Sequence, residues 1–161
     1  MTLTVDELQS CLPQHMKSSA TQSLADKVNQ LAADPDVADQ IIRNFTTLAS
    51  VLRDGKYKLD DYISAVHYVS FKLMGHTNKD AYKYAFPQRY QRLVAKGASD
   101  KDISAYVAGY TKGKLVGSLL EQAAIPVWVL NQGTFQDAIN RQAHLMMHAD
   151  SEKVQTEAAN S

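Results

Sequence analysis

Apolar residues recur at three- and four-residue spacing along most of this chain, the period of a helix that buries one face. The clearest case is DPDVADQIIRNFTTLASVLRDG, residues 34–55, in which Ala38, Ile41, Ile42, Phe45, Leu48, Ala49 and Leu52 form one stripe. Asp34 is placed to cap this helix, Pro35 occupies its first position and Gly55 follows its end. A second stripe of Ile63, Val66, Val69 or Ser70, and Leu73 predicts a helix from Asp60 to Met74, stopped by Gly75.

Thr77 then caps a short helix over residues 78–86, because Pro87 disfavours helical geometry at the residue before it. Pro87 in turn opens a helix over 87–96 that ends at Gly97. Ser99 begins SDKDISAYVAGYTKGKLVGSLLEQAAI, read as two helices meeting near Tyr110. Gly109, Gly113 and Gly117 favour that break, since each costs about 1 kcal/mol in a helix interior.

IPVWVL, residues 125–130, is the only stretch of strand-like composition. One short strand makes no sheet, so it is read as a buried connection or a strand completed by another subunit. TFQDAINRQAHLMMHA and SEKVQTEAANS resume the helical pattern, and the latter stops without a C-cap.

Helix-start pairs recur as well: Thr4 with Glu7, Ser19 with Gln22, Thr77 with Asp80, Ser99 with Asp102 and Thr134 with Asp137. Strand signals form no matching series. The expected fold is all-α, a multi-helix domain containing a helix-turn-helix-like module and a helical oligomerisation region. The expected divisions are an N-terminal helical region over 1–56, the module over 57–110 and the oligomerisation region over 111–161.

With 161 residues, 45% of them hydrophobic, the chain has enough apolar surface for a packed core. It has no apolar run near 18 residues, and MTLTVDELQS lacks the basic and apolar parts of a signal peptide, so a soluble intracellular protein with no membrane partner is expected. Cys11 stands alone, which leaves no internal disulfide framework and no thiolate cluster for zinc.

Net charge adds more than composition does. The total is zero, but residues 1–61 carry −3, residues 62–114 carry +6 and residues 115–161 carry −3. A basic middle between acidic flanks fits a polyanion, whose phosphates supply most sequence-independent affinity. An ordinary solvated surface with clustered charge fits as well.

The candidate chemistry lies in that basic middle. A longer helix at 60–74 followed by two short ones with a tight turn is the order of a helix-turn-helix reader. At about 100° per residue, Arg89, Arg92 and Lys96 fall within roughly 60° of one another, with Gln88 near the helix start. Tyr90, Leu93 and Val94 lie on another face, able to pack on the domain. Arg and Gln suit base edges in a major groove, and Lys suits phosphates.

Lys79 and Lys83 are four apart on the preceding helix and serve as phosphate contacts at most, while Tyr82 and Ala85 or Phe86 point inward. Tyrosines 82, 84, 90, 106 and 110 either stack on bases or belong to a core or interface.

Other chemistries find little footing. His144 and His148 have the spacing of a ligand pair, but HLMMH lacks the glutamate of a zinc-protease helix and no third ligand accompanies it. Asp60-Asp61 and Asp100 with Asp102 read as helix starts. No phosphate loop, nucleophile elbow or paired cysteine nucleophile is present, so no catalytic residue, metal or cofactor is expected.

GHTNKDAYKYAF, residues 75–86, resembles the first helix of the helix-turn-helix in small terminase subunits of tailed bacteriophages, where a glycine, a polar cap and an Ala-Tyr-x-x-Ala core run together. VAGYTKGKLVGSLLEQAAIPVWVLN and SEKVQTEAAN are similar to segments downstream of that module, so the resemblance spans about residues 60–161. It implies a non-enzymatic protein that binds double-stranded genomic DNA as a homo-oligomeric ring and regulates a large terminase subunit. It also implies the cytoplasm of a phage-infected host cell. Gly75, Thr77, Ala81, Tyr82 and Ala85 would be scaffold of the reader, and Gln88, Arg89, Arg92 and Lys96 its exposed helix. The alternative is a helical structural or adaptor protein whose basic middle faces an acidic protein partner.

Overall fold

The computed structural model describes residues 1–124, and among them every regular element is helical. In chain order these are α1 (Val5–Cys11), α2 (Gln22–Asn29), α3 (Pro35–Thr47), α4 (Leu59–Leu73), α5 (Asn78–Ala85), α6 (Pro87–Ala95), α7 (Asp100–Thr111) and α8 (Lys114–Ala123). Short 3₁₀ turns at Gln14–Ser19 and Ala49–Leu52 complete the set. IPVWVL, the Thr134 start and the His144/His148 pair lie outside the described residues.

α4 is the central element because it is buried almost all round. Tyr62, Ile63, Ala65, Val66, His67, Tyr68, Val69, Ser70 and Phe71 are all buried, and a helix buried on every side belongs in the middle of a bundle. α3 packs on one flank, where Asn44 Nδ2 donates to Ser70 Oγ at 2.9 Å. α5 packs on α4 and carries α7, and the Tyr68 hydroxyl bonds the Thr111 hydroxyl.

The N-terminal helices close over α3. Asn29 anchors the chain ahead of α1 in both directions: its Oδ1 accepts from the Leu3 N–H at 2.8 Å and its Nδ2 donates to the Leu3 carbonyl at 3.0 Å. α8 buries Val116 and Leu119, and Gln122 Nε2 reaches Ser50 Oγ at 2.8 Å.

Side-chain caps set most boundaries. Thr4 with Glu7 and Ser99 with Asp102 form full capping boxes, Asp34 accepts from the amides of Asp36 and Val37, and Thr77 accepts from that of Asp80. Gly75 and Gly97 end α4 and α6 with φ of 95° and 81°, followed by the paired bonds His76 N–H to Phe71 O and Ala98 N–H to Leu93 O.

Four expectations shift in detail. The cap of α2 is Thr21, accepting from the Leu24 amide, and Ser19 belongs to the preceding 3₁₀ turn. The stripe from Ala38 to Leu52 is inward-facing but not one helix: α3 ends at Thr47, and Leu48, Ala49 and Leu52 reach the core through a tighter turn. Leu73, expected to face inward, is 50% exposed at the end of α4. The break between α7 and α8 falls at Lys112-Gly113, just past Tyr110.

Candidate nucleic-acid interface

α5 and α6 share a single joint residue, Phe86, which ends one helix and begins the next at φ −132° and ψ 61°. Pro87 forces this break: its ring excludes Phe86 from helical geometry and its fixed φ starts the next turn. Phe86 is buried against Tyr82, with ring centroids 4.7 Å apart, and edge-on to Tyr110 at 5.1 Å. The joint therefore anchors the root of α6 in an aromatic cluster.

The rest of α6 stands away from the core. Its nine residues include none that is buried, and among the described elements α5 is the one that packs closely on it. Tyr90 and Leu93 are half-buried, while Val94, expected to face the domain, is 52% exposed. An apolar stripe is present, yet the bundle covers only the part nearest Phe86.

The residues expected to contact nucleic acid divide into two groups. Gln88, Arg92 and Lys96 are exposed, and among the described residues none forms an ion pair. Lys83 is also exposed, its ammonium 5.6 Å from the Tyr90 ring centroid, which ties α5 to α6 by a weak cation–π contact. Residues 81–99 include no Asp or Glu, so the formal charges of this segment are all positive.

Lys79 is engaged within the fold, and Arg89, though exposed and in no salt bridge among the described residues, lies against a ring. Lys79 Nζ meets Asp100 Oδ1 at 2.8 Å, joining α5 to the start of α7; that bond raises the lysine pKa and lowers that of the carboxyl. Arg89 lies over the Phe86 ring, 4.7 Å from its centroid, and lines a cavity beside α7 and α8. Backbone angle alone grouped Arg89 with Arg92 and Lys96; the guanidinium instead folds back toward the rings.

The tyrosines divide similarly. Tyr82 is fully buried, edge-on to Tyr106 at 5.8 Å and to Tyr110 at 5.6 Å. Burial first, and then Tyr106, push its hydroxyl up to about 12. Burial, with Tyr68 and Tyr82 nearby, likewise holds the Tyr110 hydroxyl far above the ordinary phenol range. Tyr84 is half-exposed and stacked on Phe71 at 4.8 Å, and Tyr106 is half-exposed as well. Both hydroxyls stay protonated, and the two rings pack edge-on within the aromatic cluster.

Among the described residues, no group of three His, Cys, Asp or Glu side chains could hold a metal ion, and no helix is long and apolar enough to cross a membrane. The cavity bordered by Arg89 went unseen in the sequence because its walls come from four separate segments. No protein-family model, curated protein or solved structure matches this chain.

Proposed function

We propose that the chain is a non-enzymatic DNA-binding protein that lays the exposed side of α6 along a duplex. The carrying observation is that α6 buries none of its residues and presents Gln88 together with Arg92 and Lys96, which enter no ion pair among the described residues, on a stretch free of acid. Such a helix, held only at its root, suits a groove. Arg92 and Gln88 supply groups for base edges or phosphates; Lys96 and Lys83 supply point charges for phosphates.

In this reading α4 and α5 are the support and α6 the reader of a helix-turn-helix-like module. Its single-residue joint at Phe86 is tighter than the turn of about three to four residues usual in that motif. Assembly into a ring, action on a viral genome in the infected host cell and regulation of a large terminase subunit complete the proposal and rest on the segment resemblance. A ring would set many such faces around one duplex, so avidity would replace single-site affinity.

A second reading has its own support. Val94, Leu73, Tyr84 and Tyr106 are each about half exposed, which favours a protein partner with an acidic rim and an apolar centre. Fluorescence anisotropy with labelled duplex DNA across a salt series separates the two. Binding that weakens linearly in log salt supports the DNA reading, and absence of binding at low salt favours the protein partner.

A further inference from the structure

A cavity of about 410 Å³ opens between the start of α4, the Phe86 joint, the end of α7 and the first turn of α8. Its wall includes Tyr57, Asp61, Arg89, Gly109, Tyr110 and Lys114. Its size lies within the range of small-ligand sites, about 300 to 1,000 Å³.

Charges of both signs border this space without meeting. Asp61, Arg89 and Lys114 all line it, yet among the described residues none is in a salt bridge. Elsewhere on the same surface Lys79 and Asp100 close to 2.8 Å, so the fold makes such pairs where geometry allows. Here Asp61 and Lys114 enter no salt bridge among the described residues and Arg89 lies against the Phe86 ring, which leaves the charge of each available to a guest lying among them.

The wall is also hollowed where the chain gains nothing internally. Gly109 lies inside α7, and a Cβ added there would meet nothing within 4 Å. Glycine is a poor helix former, so its presence weakens α7 locally while leaving the cavity wall bare at that point. Arg89 borders this open space as well.

The guest's chemistry follows from the wall. A guanidinium and an ammonium select an anion with several oxygens, and the residues of the first turn of α8 line the cavity beside them. Gly113 precedes that helix and has no side chain with which to cap it. Tyr57 and Tyr110, which line the cavity, favour a planar ring system, and a carboxylate selects an N–H donor on it.

We propose that this cavity holds a single nucleotide, with its phosphate against Arg89, Lys114 and the first turn of α8, its base against Tyr57 and Tyr110, and Asp61 accepting from an exocyclic amine. The nucleotide comes either from solution or from an unpaired position in a strand. The inference goes beyond the duplex reading and stands without it, because Gln88, Arg92 and Lys96 do not line the cavity.

Calorimetric titration of the full chain with dAMP, dCMP, dTMP and inorganic phosphate tests it, alongside a single-stranded oligonucleotide. The expected result is dAMP and dCMP binding at least about tenfold more tightly than phosphate or dTMP, which lacks the exocyclic amine. Asp61→Asn removes the preference over dTMP, Lys114→Gln weakens all three nucleotides, and Gly109→Leu adds bulk to the cavity wall and abolishes binding while thermal unfolding remains cooperative. A strand that binds more tightly than dAMP and loses that binding in Gly109→Leu identifies an unpaired residue as the source. Mononucleotide binding with a strand indifferent to Gly109→Leu identifies free nucleotide. No nucleotide preference over phosphate, or equal binding by folded Gly109→Leu, overturns the proposal. Duplex affinity that falls in Arg92→Ala/Lys96→Ala and not in Gly109→Leu shows that the two sites stand or fall separately.

Discussion

The Tyr62 hydroxyl donates to the Phe45 carbonyl at 2.6 Å while the two rings meet edge-on with centroids 5.2 Å apart. The bond satisfies a carbonyl in the last turn of α3, where the helix itself provides no amide. Both side chains are fully buried, so that carbonyl has no recourse to water. Tyr62→Phe is therefore expected to lower stability by about 1 to 3 kcal/mol, the cost of an unsatisfied buried acceptor, in urea unfolding with an unchanged m-value.

His67 gives the fold a pH dependence. It is buried on α4, and burial lowers its pKa from 6.5 to about 4, so the folded state keeps it neutral while the unfolded chain takes up a proton. Its contribution is complete above pH 6.5 and is lost as pH falls toward about 4. The slope is at most about 1.4 kcal/mol per pH unit, and His67→Leu should flatten unfolding free energies across that window.

The same substitution at two glycines should act in opposite directions. Gly75 has φ of 95° and nothing near its absent Cβ, so Gly75→Ala costs about 1 to 2 kcal/mol through backbone strain alone. Gly109 is helical with open space around it, so Gly109→Ala should stabilise by about 0.5 to 1 kcal/mol. Paired thermal unfolding of the two variants checks the sign.

Duplex binding should distinguish cations that look alike in the sequence. Arg92→Ala/Lys96→Ala is expected to weaken binding and reduce the slope of log affinity against log salt by about 2, because each phosphate contact contributes about 0.9. Lys79→Ala should leave the slope unchanged, since Asp100 already neutralises that lysine. Equal losses in both variants would remove α6 from the interface.

The helices were legible because their boundaries are local. Asp34-Pro35, Thr77, Ser99 with Asp102, Gly75 and Gly97 each act within one turn, and each does in the fold what its neighbours in sequence dictate. What escaped was the choice of neighbour across the chain. Angular position on a helix wheel cannot tell that Arg89 bends back over Phe86 or that Lys79 reaches Asp100, because those partners are fixed by tertiary packing. The cavity escaped for the same reason: Tyr57, Asp61, Arg89, Tyr110 and Lys114 share no spacing a sequence pattern could register.

The one-residue joint at Phe86 has a mechanical consequence. A hinge requires several successive residues that can change φ and ψ, and here one residue is held between Pro87 and rings on two sides. α6 is accordingly a cantilever: a load on its tip cannot be absorbed by bending at the root. The torque passes through Phe86 into Tyr82 and Tyr110, so whatever grips the outer end of α6 pulls directly on the aromatic centre of the bundle.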